Sequence, residues 1–394
     1  MTRPPIPIPE TVLDIVRQLE AAGFETWCVG GAVRDHLLGD PNTDFDLATR
    51  ATPDEVRTLF RHTVDVGVAF GTVGVLDRDR VLHEVTTFRR DVSTDGRRAV
   101  VAFGATLEED LARRDFTINA IAFHPIRNEW RDPFKGFADL DAKLIRAVGS
   151  PGERFREDYL RILRGVRFAS RLGFEIEAAT WAAMLAESSG LAGLSAERVR
   201  DEWFKSLRTT RSLGRLVALW GEVVRGSPWM PELLAAVPRA LPSSEAFPRD
   251  PVLLTAFLTR DPAAVLRRLK ASGTEVDRAA AMARGLAAPA GGDERSVRRW
   301  LSAVTPAVAE DLALLVRLRT GNDAAWAATM ATIIARRDPI SRGDLVVSGD
   351  DLLQAGVPAG RTLGAALVTL LDYVLDDPAR NTRESLLQRA RELR

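Results

Sequence analysis

What most narrows the possible folds of this chain is a change of texture near residue 150. Before it, short β-forming runs alternate with short helical signals: ETWCVG (25–30), DFDLAT (44–49), TVGVL (72–76), RVLHEVTTF (80–88), AVVAF (99–103) and TINAIAF (117–123). Between them lies Thr52-Pro53, a helix cap followed by proline at the first helical position, where its missing N–H costs nothing. Interleaving of this kind predicts an α+β domain, a mixed sheet with helices. After Ser150-Pro151-Gly152 the strand signal nearly vanishes, and long helical patterns run over 157–174 and 195–207. The second of these opens with Ser195 as cap and Glu197 in the first turn, where it suits the helix dipole. Breaks at 228–231, 238–251 and 289–292 divide the remainder into bundles, and 346–375 reads as two helices around a Gly-Val-Pro-Ala-Gly turn.

Composition removes several functional classes. With 54 basic and 54 acidic residues among 394, there is no net charge to coat the surface with positive potential, although local basic faces are allowed. Cys28 is the only cysteine, which excludes an intramolecular disulfide and a thiolate metal cage. His36, His62, His83 and His124 are the only histidines, so histidine-based metal or base chemistry is confined to the first third. No apolar run nears the roughly 20 residues that cross a bilayer, and MTRPPIPIPE lacks the basic-then-apolar pattern of a secretory signal. A cytoplasmic protein with no membrane association is expected.

Three constellations can carry chemistry. The first is Gly30-Gly31-Ala32-Val33-Arg34-Asp35 after a strand, followed by Asp44-Phe45-Asp46. A glycine pair lets backbone approach an anion closely, and the next helix N-terminus favours phosphate. Carboxylates two apart on a strand share a face and repel unless a cation lies between them; all-oxygen ligands favour Mg²⁺ carried with nucleotide phosphates. Glu84, inside the apolar run VLHEVTTF, is read as a third carboxylate of that site, the alternative being an outward-facing charge on a half-exposed strand. The second constellation is Arg113-Arg114-Asp115-Phe116-Thr117-Ile118-Asn119-Ala120, in which guanidiniums can clamp phosphate and Asp115 can accept from ribose hydroxyls; INAIAF after it reads as core strand. The third is Glu157-Asp158-Tyr159-Leu160-Arg161-Ile162-Leu163-Arg164-Gly165-Val166-Arg167-Phe168. On one helix, Asp158 and Arg161 would be neighbours, and Arg164 and Arg167 would extend the row.

GGAVRD with DFD, then RRDFTINA, then EDYLR-x-LR-x-x-RF, then LSAERVRDE, in this order, resemble the class II tRNA nucleotidyltransferases: the CCA-adding enzymes and their bacterial poly(A) polymerase relatives. The likeness covers about the first 210 residues and reappears in the tail; Tyr159 departs from it, standing where the family commonly has proline. It implies a polymerase-β-like head over 1–150, followed by an elongated all-α support: a neck over 151–212, a body over 213–340 and a tail over 341–394. It further implies that Asp44 and Asp46 hold two Mg²⁺ ions, that Gly30, Gly31, Arg34 and Arg114 contact the nucleotide, and that Asp115 sits by the ribose. Arg164 and Arg167 match neck arginines near the triphosphate. Asp158 and Arg161 match a pair that the family uses as an amino-acid template for CTP and ATP. The segment FRRDVSTDGRR (88–98) resembles the family's flexible loop, which favours addition of the whole CCA; a CC-only enzyme, an A-only enzyme and a poly(A) polymerase are the alternatives. The implied partner is tRNA, bound through its acceptor and T arms. An appended histidine-dependent phosphohydrolase is excluded by the missing histidines.

Overall fold

The computed structural model describes residues 3–40, 44–94, 99–229, 247–284 and 288–392. Contacts divide the chain into two units, Met1–Leu234 and Ala235–Arg394. The first carries the strands. In chain order they are β1 (Thr26–Val29), β2 (Asp46–Thr49), β3 (Thr63–Gly67), β4 (Thr72–Leu76), β5 (Leu82–Thr87), β6 (Arg89–Thr94), β7 (Ala99–Phe103), β8 (Ala122–His124), β9 (Glu129–Arg131), β10 (Leu144–Ile145) and β11 (Glu175–Ile176), the last two a small parallel pair of their own. Seven of them form one mixed sheet in the order β3-β4-β5-β2-β1-β8-β9, and β6 and β7 make a separate hairpin. Only the β2–β5 pairing in the seven-stranded sheet is parallel.

The helices of this unit begin with α1 (Glu10–Ala21), α2 (Gly31–Leu37), α3 (Pro53–Leu59), α4 (Leu107–Ala112) and α5 (Gly136–Asp141). Thr52 and Thr106 start α3 and α4 with reciprocal capping boxes to Glu55 and Glu109, each satisfying two backbone donors that a helix end leaves open. Leu107 and Leu111 of α4 pack with Trp27, Val29, Ala48 and Ala122 on one sheet face. Cys28, Leu47, Val73, Val75 and Val85, at alternate positions, are buried toward the other. The same unit continues through α6 (Pro151–Glu157), α7 (Leu160–Leu172), α8 (Ala178–Ala186), α9 (Ala196–Thr209) and α10 (Leu213–Val224). Trp203 of α9 and Trp220 of α10, both fully buried, meet at 4.9 Å between ring centroids, and both helices pack on α7.

The structure corrects three local expectations. The run over 157–174 is two helices, α6 and α7, because Asp158 leaves the helical region at φ −155°, ψ 102°. Of TINAIAF only Ala122 and Phe123 fall in a strand, Ala122–His124; Thr117–Asn119 is a 3₁₀ turn. Thr117 Oγ1 bonds Asp139 at 2.7 Å and Asn119 Nδ2 bonds Asp115 at 2.9 Å, so polar side chains draw the backbone out of the ladder. Arg89–Thr94, expected as loop, is a strand paired with Ala99–Phe103; residues 95–98 of that segment lie outside the described residues.

The second unit, taken by itself, is helical throughout its described residues. Val297, Leu301, Trp326 and Ile333 form one apolar cluster, and Leu352, Leu370, Val374 and Leu386 another. Arg278 ties two of its helices by pairing with both Asp250 (2.7 Å) and Asp311 (2.6 Å). The break at 289–292 falls between helices Gly273–Arg284 and Glu294–Val304, and the turn near 357 separates Gly349–Gln354 from Arg361–Asp376. The breaks at 228–231 and 238–251 lie partly outside the described residues.

Candidate active site

The site begins where β1 turns into α2. Gly30 takes φ +82°, and a Cβ there would stand 3.1 Å from Asp46 Oδ2 and 3.4 Å from Arg114 Nη1. No other residue fits a positive φ beside two charged groups so cheaply. Around this turn opens a cleft of about 670 Å³, lined by Gly30, Gly31, Arg34, Asp44, Asp46, Arg113, Arg114, Asp115, Asn119, Asp158, Leu160, Arg161, Arg164, Arg167, Phe168, Arg171, Arg198 and Lys205. Thus every residue singled out from the sequence lines one cleft, except Glu84. Eight arginines and one lysine face four aspartates there, a charge balance suited to a polyanion despite a neutral chain.

The carboxylates gather at one end. β2 starts at Asp46, so Asp44 precedes the strand, with the fully buried Phe45 between them. Burial and then the Glu84 charge push the Asp46 carboxyl up to about 6 against the pull of Arg114, and Asp44 adds to the push. Glu84 is exposed and outside the cleft lining. Register pairs Leu47 with Val85, however, so Asp46 and Glu84, one position earlier on each strand, project from the same face. Among the described residues no three His, Cys, Asp or Glu side chains close into a cage. The donor set nevertheless fits a hard divalent cation: oxygen-only, partly buried, and short of positive charge at its centre.

The opposite wall is a guanidinium lattice. Arg34, itself 2% exposed, donates to Asp35 (2.7 Å) and to Asn119 Oδ1 (2.6 Å), and Arg171 holds the other Asp35 oxygen at 2.8 Å. Arg167 is paired with buried Glu202. The Phe168 ring carries Arg34, Arg164 and Arg167 at 5.0, 5.4 and 4.3 Å from its centroid, cation–π contacts that help fix their positions. Burial raises the Asp115 carboxyl, but the Arg164 charge at 2.7 Å, Asn119 and the Phe116 N–H outweigh it and hold it well below the usual carboxylate range. Arg114 Nε and Arg198 Nη1 are buried without an acceptor among the described residues, which is what donors awaiting an anionic or base ligand look like.

The Arg161 N–H donates to the Asp158 carbonyl at 3.0 Å, but each side chain is bonded to other groups. Arg198 Nη2 reaches both Asp158 oxygens, at 3.0 and 2.8 Å, and Arg161 Nη1 donates to Glu157 at 2.7 Å and to the Arg154 carbonyl at 3.1 Å. Arg161 Nη2 also donates to the Arg113 carbonyl at 3.1 Å, the Leu160 N–H donates to Asp158 Oδ1 at 3.1 Å, and Asp158 and Arg161 both line the cleft. The ring of Tyr159 between them lies against Gly190, where a Cβ would fall inside it.

The family described as Poly A polymerase head domain matches residues 26–146; an RNA- and SrmB-binding segment of polymerase A matches 173–220, and tRNA nucleotidyltransferase domain 2 matches 252–390. The CCA-adding enzyme of Latilactobacillus sakei is 38% identical over 96% of this chain and 97% of its own, and that of Lactiplantibacillus plantarum is 36% identical over 96% and 94%. The chain belongs to the CCA-adding enzyme family. The solved structure of the Bacillus stearothermophilus CCA-adding enzyme in complex with CTP superposes with a TM-score of 0.82, at 32% identity over 97% of this chain and 96% of that one. The polymerase-type head followed by helices is therefore the fold of a CCA-adding enzyme in this chain as well.

Within this CCA-adding framework, sequence reading does not single out Asn119, Arg171 and Arg198 as lining the cleft, nor Asp35, Glu157 and Glu202 as the carboxylates that hold its arginines. The partners of Arg171 and Arg198, Asp35 and Asp158, lie 136 and 40 residues away, beyond any periodicity. One consequence is measurable. Arg164→Gln should lower thermal stability more at pH 7 than at pH 3. The depressed Asp115 carboxyl contributes stability that is whole above the unfolded value near 4 and lost as acid protonates it. Equal losses at both pH values would contradict this.

Proposed function

We propose that this protein adds C, C and A to the 3′ end of tRNA from CTP and ATP, releasing pyrophosphate and using no nucleic-acid template. The observation that carries this is one cleft joining paired carboxylates, an arginine wall and the Asp158/Arg161 pair. Cytosine and adenine both offer an exocyclic amine beside a ring-nitrogen acceptor. Asp158 would accept from the amine and Arg161 would donate to the ring nitrogen. Uracil and guanine reverse that order and leave both charged groups facing the wrong partner, at about 1–3 kcal/mol per unsatisfied buried group.

Nucleotidyl transfer in this family uses a divalent metal; Asp44 and Asp46, with Glu84 as a further oxygen donor, are the residues proposed to hold it, and Mg²⁺ suits them. Bound there, it supplies charge neutralisation at the attacking hydroxyl and at the departing pyrophosphate. The chain's own part is positioning. Arg34, Arg114, Arg164 and Arg167 hold the triphosphate, Gly30 and Gly31 admit it close to backbone, and Asp115 faces the ribose. The head, neck, body and tail are assigned to 1–150, 151–212, 213–340 and 341–394, and the head-domain match over 26–146 supports the first of these. The helical regions would bind the acceptor and T arms by shape and backbone contacts. No helix among the described residues is long and apolar enough to cross a membrane, which suits a cytoplasmic location. The segment 88–98, whose Arg89–Thr94 pairs with Ala99–Phe103, is read as the loop that switches C to A addition.

The test is to incubate tRNA lacking its 3′ end with CTP and ATP and size the product. Three residues, C-C-A, are expected; two, one, or a long A-tail would replace this reading by a CC-only enzyme, an A-only enzyme or a poly(A) polymerase. Arg198→Ala, which frees Asp158, should reduce discrimination between CTP and UTP by about tenfold, with Arg198→Lys less affected, as read from kcat/KM for each nucleotide. Unchanged discrimination would remove Arg198 from the template.

A further inference from the structure

We propose that Tyr159, seated on Gly190, is a positioning residue that holds Asp158 in the conformation its template role needs; this rests on the reading above. Asp158 stands at φ −155°, ψ 102°, while Tyr159 has the helical angles φ −60°, ψ −20°. The bend between α6 and α7 therefore falls on Asp158, at a dipeptide with neither proline nor glycine to impose it. A helical Asp158 would run α6 into α7. It would also carry the carboxylate away from the Leu160 N–H at 3.1 Å and from Arg198 at 2.8 Å.

What opposes this lies on the next residue. The Tyr159 ring is so close to Gly190 that a Cβ there would overlap Cε1, Cδ1 and Cζ. Gly190 does not have the positive φ that calls for glycine; the ring is what excludes a side chain. The seat is tied to α6. The Gly190 N–H donates to the Glu187 carbonyl at 3.0 Å, and Glu187 pairs with Arg156 of α6 at 2.9 Å. The next residue, Leu191, is fully buried, and its carbonyl accepts from Trp229 Nε1 at 2.6 Å. The ring itself leads into α7. Backbone turns only about φ and ψ, so any change of either angle at Asp158, the hinge between the two helices, lifts the ring off its seat. Proline at 159 would impose the same bend by another route. Its fixed φ of about −65° suits the position, and it drives the residue before it out of the helical region. Among the described residues no backbone carbonyl accepts from the Tyr159 N–H, so proline would cost no such bond.

The test reads the CTP-to-UTP ratio of kcat/KM, on tRNA lacking its 3′ end, in Gly190→Ala, Tyr159→Ala, Tyr159→Pro and Tyr159→Pro/Gly190→Ala. The first two should lower the ratio about tenfold well below their melting temperatures, because the Asp158 carboxylate leaves its place. Tyr159→Pro should keep the parent's ratio. It should also make Gly190→Ala harmless, since no ring is left to collide with. A ring that only adds stability would move Tm and leave the ratio alone, and that result overturns the proposal. So does a Tyr159→Pro/Gly190→Ala protein no better than Gly190→Ala. If the parent protein shows no preference for CTP over UTP, the functional reading fails instead, and the positioning claim is decided without activity. Tyr159 and Tyr373 are the only tyrosines, so fluorotyrosine labelling gives one fluorine resonance for each. Gly190→Ala should shift the Tyr159 resonance and shrink the loss of Tm that Arg198→Gln causes, the partner Asp158 having already moved. An unmoved resonance or an equal loss overturns the proposal.

Discussion

Replacing Asp46 with asparagine is expected to abolish nucleotide addition and, in metal-free buffer at neutral pH, to make the protein harder to unfold. The side chain keeps its shape and loses a charge that its surroundings oppose. Burial, Glu84 and Asp44 together push its carboxyl up to about 6 from an ordinary 3.8. A carboxyl raised on folding binds its proton more tightly in the native state. Native stability therefore falls as pH climbs from about 4 to about 6, and the deficit persists above. Two pKa units correspond to roughly 3 kcal/mol, and partial exposure trims this to about 2. For a unit of this size that is a rise of about 4–8 °C in Tm. Activity should fall by at least about 10³, since the lost ligand removes several kcal/mol of charge stabilisation. Magnesium should then raise Tm of the parent protein and leave the variant nearly unmoved. Melting curves at pH 5 and 7.5, in chelator and in magnesium, check all of this. A variant that melts below the parent in chelator at pH 7.5 would show that Asp46 is not held against its charge.

The second large effect concerns which nucleotide is chosen. Exchanging the pair, as Asp158→Arg with Arg161→Asp, should move preference from CTP and ATP toward UTP and GTP. The structure adds a condition. Arg198 stands against Asp158 and Glu157 against Arg161, so the bare exchange sets arginine on arginine and aspartate beside glutamate. The double variant should therefore be slow, with its UTP-to-CTP ratio nonetheless raised. Adding Arg198→Glu and Glu157→Gln should recover rate while keeping the new preference. Two mismatched charged contacts imply a swing of about 10²–10⁴ in relative kcat/KM. A folded quadruple variant that still prefers CTP would place nucleotide choice elsewhere.

Much of this site is legible in the sequence because its elements are local. A glycine pair after a strand, carboxylates two apart and arginines spaced along a helix each announce themselves within a dozen residues. The α+β head and the helical remainder were readable for the same reason, as texture. What was hidden is what crosses the fold. Nothing near Asp158 points to Arg198, and nothing near Arg34 points to Asn119; those partners exist only once α9 lies on α7 and the 3₁₀ turn closes behind α2. The break between α6 and α7 is not legible because Asp158-Tyr159 has no proline or glycine to mark it. β3 is not legible either, since a five-residue edge strand with three exposed positions shows little burial pattern. Glu84 illustrates a half-legible residue. Its strand and face were inferable, whereas its closeness to Asp46 depends on the parallel β2–β5 register.

The most direct measurement is equilibrium binding of the four nucleoside triphosphates to the protein with magnesium and without any RNA. If side chains alone choose the nucleotide, CTP and ATP should bind at one shared site, compete with each other, and exceed UTP and GTP by at least about tenfold. Four equal affinities, or a preference that appears only when tRNA is added, would mean that the cleft does not carry the template.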